Sequence, residues 1–168
     1  MDVQSLRVAR VMSRTLVVVE PDESPLMAWE IMRRASVHHL PVVDRNGCLR
    51  GVLTQEDLAA RWSGGPVEQS RAQVHSLLAE HRCPHTTLDA RLGDAAVAMI
   101  GAGVDAIPVL GESNRLVGMV TVTDVLRAVA GLITEEEEPP ELMTGMFRLV
   151  PVLPRSHGAD DPFTRDGG

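Results

Sequence analysis

Pro41-Val42-Val43, followed by Gly51-Val52-Leu53-Thr54-Gln55-Glu56-Asp57-Leu58, is written twice in this chain. The second version runs Pro108-Val109-Leu110, then Gly118-Met119-Val120-Thr121-Val122-Thr123-Asp124-Val125. The offset is 67 residues at the prolines (41 and 108), the glycines (51 and 118) and the aspartates (57 and 124), with no gap between them. It also carries Ala28 onto Ala95, Met32 onto Met99 and Leu49 onto Leu116. Two repeats that each expose a half-buried sheet are expected to pack face to face. That packing sets Thr54/Asp57 and Thr121/Asp124 in two related clefts.

Each repeat reads as β-α-β-β-α, which makes the fold α+β. In the first, Thr15–Val19 is a β-branched apolar run that suits a strand. Ser24-Pro25 opens a helix to about Ala35, the serine capping and the proline sitting in the first turn. His39–Val43 and Cys48–Thr54 form a hairpin around Asn46-Gly47, and Glu56–Trp62 is a helix. In the second repeat the order returns as a helix at Val74–Glu80, an extended piece at Cys83–Thr87 and a helix at Leu92–Ile100. Strands at Ala106–Leu110 and Arg115–Thr121 and a helix from Val122 to about Gly131 complete it. The spacing of Leu6, Val8, Val11 and Met12 predicts a short N-terminal helix. Pro41 and Pro108 demand a strand edge or a bulge. The expected boundaries are residues 8–64 for the first repeat, 65–73 for a linker, 74–131 for the second repeat and 132–168 for an acidic, partly disordered tail. Within that tail Met143–Leu153 is an apolar patch that docks either on the domain or on a second chain.

Composition narrows the function. The chain is 44% hydrophobic, with two Trp, two Phe and no Tyr, so its interior is aliphatic. All 16 basic residues are arginine, which removes Schiff-base chemistry and a phosphate-loop lysine. Residues 1–131 carry 13 Arg against 15 acids, and residues 132–168 carry 3 against 8, so the net −7 belongs mostly to the tail. No basic face with stacking aromatics marks a nucleic-acid binder. Cys48 and Cys83 suit reduced thiols. No run has the length of a signal peptide or membrane span, so a cytoplasmic protein with no membrane partner is expected.

Thr-x-x-Asp after an apolar strand is first of all a capping box, with threonine as N-cap and the acid favoured by the helix dipole. Its repetition, each time behind a glycine and two apolar residues, adds a second reading. A carboxylate at a cleft edge can accept both hydroxyls of a ribose, and the free N–H groups of a helix start suit phosphate. Capping and binding are compatible, and both are expected.

With Pro-Asp-Glu-Ser-Pro-Leu-Met-Ala (21–28), His-His-Leu-Pro-Val-Val-Asp (38–44), Asn-Gly (46–47), Gly-x-x-Thr-x-x-Asp-Leu (51–58), Ala-Ile-Pro-Val-Leu (106–110) and Gly-x-x-Thr-x-x-Asp-Val (118–125), residues 8–130 resemble two cystathionine-β-synthase (CBS) domains in tandem, a Bateman module. The resemblance implies a non-catalytic regulatory module with two pseudo-symmetric clefts that bind adenosine-containing ligands: AMP, ADP, ATP or S-adenosylmethionine. It implies that Asp57 and Asp124 hold ribose, that Thr54 and Thr121 lie at ribose or phosphate, and that the backbone around Leu40 and Ile107 borders the base. It also implies a homodimer through exposed helices, and an effect passed on through an unidentified downstream protein.

In such modules the residues before the strand proline reach the phosphate of the cleft whose ribose acid comes from the other repeat. His38 and His39 would then serve the Thr121/Asp124 cleft, and Asp105 and Ala106 the Thr54/Asp57 cleft. This predicts unequal clefts, with phosphate at Thr121/Asp124 and an uncharged, cationic or absent ligand at Thr54/Asp57. Phosphate affinity should weaken between about pH 6 and 8 as imidazolium is lost. Gly101-Ala102-Gly103-Val104-Asp105-Ala106 imitates a dinucleotide fingerprint but follows a helix and opens a strand, so it reads as a helix stop. His81, Cys83 and His85 alternate without paired metal-ligand spacing, so no metal site is assigned. No nucleophile-base order supports an enzyme. The competing reading is a nucleotide-free dimeric scaffold using the same helices and the 143–153 patch.

Overall fold

The computed structural model describes residues 2–62, 64–78, 83–133, 141–144 and 148–151, and the chain alternates strands and helices along both repeats. β1 (Thr15–Val18) leads to α1 (Pro25–Ala35), β2 (His39–Val43), β3 (Leu49–Thr54) and α2 (Gln55–Arg61). A short α3 (Pro66–Arg71) crosses to β4 (Thr86–Thr87), α4 (Leu92–Ala102), β5 (Ala106–Leu110), β6 (Leu116–Thr121) and α5 (Val122–Val129). β7 (Glu141–Thr144) and β8 (Arg148–Pro151) follow. The α+β class and the tandem architecture are those the sequence predicts.

The hairpins repeat in register. β2 and β3 pair antiparallel with His39 opposite Thr54 and Pro41 opposite Val52; β5 and β6 pair with Ala106 opposite Thr121 and Pro108 opposite Met119. Both ladders shift by a bulge, between Val42 and Val43 and between Val109 and Leu110. Val19 lies parallel to Val42, and Thr86 parallel to Val109, again 67 residues apart. On that side Pro41 offers only its carbonyl, which accepts the Val19 N–H at 3.0 Å. The missing proline donor therefore leaves no partner unsatisfied there.

What precedes each repeat crosses to the other one. The N–H groups of Val8 and Ala9 donate to the carbonyls of Ala90 and Leu88 at 2.9 and 3.1 Å. Those of Val74 and His75 donate to Glu23 and Pro21 at 2.8 and 2.9 Å. Two apolar cores result. Ala28, Met32, Leu40, Leu53 and Leu58 close around Val74 and Leu77 from the second arm. Leu92, Met99, Ile107, Leu116 and Val120 close around Leu6, Val8 and Met12 from the first. Val8 and Val74 are both fully buried, worth about 1.5–3 kcal/mol each.

Because the arms bond across the molecule, neither forms the expected helix. Residues 6–12 contain a 3₁₀ turn at Val8–Arg10 preceded by another at Val3–Ser5, and the 74–80 stretch holds a 3₁₀ turn at Val74–Leu77. The presumed linker contains α3, started by Pro66 and by the Glu68 carboxylate accepting the Gly65 N–H at 2.8 Å. Beyond the second repeat, β7 runs parallel to β1, Thr15 opposite Glu141 and Val18 opposite Thr144, and β8 pairs with β7. Backbone pairing thus brings Met143 and Thr144, at the start of the apolar patch, to β1; residues 134–140, 145–147 and 152–168 lie outside the described residues. Among those residues no helix is long and apolar enough to cross a membrane.

Candidate functional site

β3 delivers Thr54 to the first turn of α2 in extended backbone, where its hydroxyl accepts the Asp57 N–H at 3.0 Å. Asp57 Oδ2 in return accepts the Thr54 N–H at 2.9 Å and its hydroxyl at 2.7 Å. β6 and α5 repeat the arrangement. Asp124 Oδ2 accepts the Thr121 N–H and hydroxyl, both at 2.8 Å, and the Asp124 backbone N–H donates to the Thr121 hydroxyl at 3.3 Å. Both motifs are capping boxes, and both use one carboxylate oxygen for the cap.

The remaining oxygens differ. Asp57 Oδ1 has no partner among the described residues, whereas Asp124 Oδ1 has Arg127 Nη1 at 3.9 Å and Asp124 is only 6% exposed. The offset places Ala60 where the second repeat has Arg127.

The two clefts differ in room as well. A cavity of about 580 Å³ is lined by Thr54 and Asp57, by His38, His39 and Arg50, and across the repeat boundary by Asp105. Cys83 also lines it. The space beside Asp124 measures about 80 Å³ and is bounded by Val11, Met12, Ser13 and Arg127. Small-molecule sites span roughly 300–1,000 Å³, so only the first has room for a nucleoside. Val11, Met12 and Ser13 of the N-terminal arm form one wall of the second. Ser13 and Met119 exchange N–H···O bonds of 2.9 and 3.0 Å, which seats Met12 over Gly118. A Cβ on Gly118 would lie 2.5 Å from the Met12 sulfur. At Gly51 the neighbour is Leu78, 3.0 Å from such a Cβ. The glycine before each threonine therefore admits the other repeat's arm.

His38 and His39 do not stand where the sequence reasoning put them. They line the Thr54/Asp57 cavity, because His39 is the register partner of Thr54 and the two strand ends share one rim. Burial holds His39 below the ordinary imidazole range, the charge of His38 adds to this, and Asp105 and Glu56 offset it in part. The charged form of His39 is therefore disfavoured. Leu40 and Ile107 are fully buried core residues and do not line the cavity, although their neighbours His39 and Ala106 do. Thr121 lines neither space.

Arg50, Glu56 and Cys83 were not anticipated. Arg50 and Glu56 flank Gly51 and Asp57 in the repeated motif, and that adjacency was the available signal. Nothing local marks Cys83, which the crossing chain brings to the rim; burial raises its thiol pKa against a Val52 N–H that lowers it. Gly103 ends α4 in the left-handed region (φ 65), as a helix stop requires. Of the alternating set His81/Cys83/His85, His81 lies outside the described residues, and among those described no three metal-type ligands cluster.

The family model for the CBS domain matches residues 8–64 and 73–131. A CBS domain-containing protein of Dictyostelium discoideum is 30% identical over 142 residues, covering 80% of this chain and 97% of that one. Further curated relatives are longer, and the chain spans between 18% and 44% of their length. Among solved structures, CBSX2 in complex with AMP aligns at 26% identity with a TM-score of 0.66, covering 75% of this chain and 97% of that one. The CBS domain pair of protein MJ0100, solved with 5′-methylthioadenosine and S-adenosyl-L-methionine, shares the fold at 24% identity and a TM-score of 0.64, with coverage of 75% and 97%.

Proposed function

Because the chain belongs to the CBS domain family and carries two such domains in tandem, we propose that it is a non-catalytic, ligand-sensing regulatory module. Its ligand is an adenosine-containing compound (AMP, ADP, ATP or S-adenosylmethionine) held in the cavity beside Thr54 and Asp57. The observation that carries this reading is a cavity of about 580 Å³ lined by Asp57, whose Oδ1 has no partner among the described residues. One oxygen secures the helix start while the other remains open to a sugar hydroxyl. CBSX2, a relative in fold and sequence, was solved with AMP. The unequal clefts of the sequence reading are kept, with the order reversed: Thr54/Asp57 binds, and Thr121/Asp124 is a structural cap.

Thermal unfolding and titration calorimetry with AMP, ATP and S-adenosylmethionine, added separately, test this. A ligand at 100 times its Kd stabilises by about 2.7 kcal/mol, a shift of several degrees for a domain of this size. Asp57→Ala should weaken binding at least about tenfold, as loss of a charged hydrogen-bond acceptor does, while Asp124→Ala should leave Kd unchanged. Loss of affinity only in Asp124→Ala would sink the assignment of the site. No shift with any of the three would leave the scaffold reading, which the exposed apolar side chains of α4 and α5 favour. The same face fits a homodimer, through which occupancy would be passed to a partner protein.

A further inference from the structure

Resting on that reading, we propose that the cavity sorts adenosyl compounds by charge. It admits a neutral or cationic 5′ substituent and turns away 5′-phosphates at neutral pH, with Asp105 of the second repeat as the selecting side chain. Once Asp57 is engaged with the sugar, the charged lining among the described residues consists of Glu56, Asp105, Arg50, His38 and His39. Arg50 is not a free cation: its Nη2 donates to Asp44 Oδ2 at 2.8 Å, back on its own hairpin. Glu56 and Asp105 have no ion-pair partner among the described residues, and both lie close enough to His39 to act on its titration. Among the described residues the groups facing a 5′ substituent are therefore two carboxylates without an ion-pair partner, one compensated guanidinium and two imidazoles.

Burial disfavours the charged form of His39. A phosphate monoester carries about −1.5 to −2 near pH 7, so its encounter with this lining is repulsive. A sulfonium meets the opposite sign. The first repeat has His38 where the second has Asp105, so the selecting charge is a feature of one repeat only. Both acids are exposed, and the effect is accordingly modest and sensitive to salt.

The test is a charge series on the full chain at about pH 7.5 and low ionic strength: adenosine, S-adenosylmethionine and AMP, followed by titration calorimetry. S-adenosylmethionine should bind about tenfold or more tightly than AMP, with adenosine between them, and the spread should narrow in about 0.5 M salt. Asp105→Asn should close the gap by about threefold while adenosine affinity stays constant. The exposed position keeps that variant folded, which an unchanged thermal midpoint verifies. AMP binding at least as tightly as adenosine, or an Asp105→Asn protein with the same ratio as wild type, overturns the charge selection alone. Failure of all three compounds to bind overturns the ligand-sensing reading and this inference together.

Discussion

Ser36 ends α1 with φ 54 and ψ 40, a left-handed conformation that costs an ordinary residue about 1 kcal/mol. Its counterpart 67 residues on is Gly103, which takes the same conformation at no steric cost. The helix stop is thus common to both repeats although the residue is not. Ser36→Gly should raise stability by about 0.5–1 kcal/mol, read as a higher urea midpoint with the slope unchanged. A lower midpoint would mean the serine hydroxyl contributes something the backbone geometry does not show. The Thr-x-x-Asp pair teaches a related lesson. Both boxes were legible letter by letter, but whether the second carboxylate oxygen is free depends on Arg127 against Ala60, one turn along the helix.

The first hairpin shows how an element is pinned. Asp44 accepts the N–H of Asn46 at 2.9 Å and of Cys48 at 3.0 Å, and receives Arg50 at 2.8 Å. Burial alone would raise its pKa, but the Cys48 and Asn46 N–H groups and then Arg50 outweigh this, so the net shift is downward. A carboxyl lowered in the folded state lends stability that is complete above its ordinary value of 3.8 and fades as pH falls through the folded value. Asp44→Asn should therefore cost about 1 kcal/mol at neutral pH and much less near pH 3, measured by denaturant unfolding at both. An equal cost at the two pH values would remove the charge from the explanation. The Asn-Gly signal located this turn correctly. The arms, by contrast, were read as helices because apolar spacing does not reveal where backbone N–H groups find their acceptors.

Over the whole molecule the two repeats match in backbone and differ in surface. On α1, Glu30 bridges Arg33 and Arg34, whose hydrogen bonds bring its pKa down to about 2. The corresponding face of α4 carries Val97 and Ile100, and adjacent α5 carries Leu126 and Val129; Ile100 is 81% exposed and Leu126 62%. If this face pairs two chains, Ile100→Glu with Leu126→Glu should turn a dimer into a monomer in light scattering behind size exclusion. Because these are surface positions, the fold should change by no more than about 0.5 kcal/mol per substitution. A wild-type protein monomeric at every concentration would retire the dimer.

Periodicity, turn chemistry and an ungapped 67-residue offset sufficed for the class, the doubling, the hairpins and the capped threonines, because each of these depends on residues near one another in the chain. The exchanged arms and the small space beside Asp124 needed the tertiary structure, whereas the union of His38 and His39 with Thr54 lay within the hairpin that the turn signal had located. Both arise where N–H groups of one repeat bond to carbonyls of the other and where Met12 settles on Gly118, contacts between positions some 50 to 110 residues apart that no local pattern records.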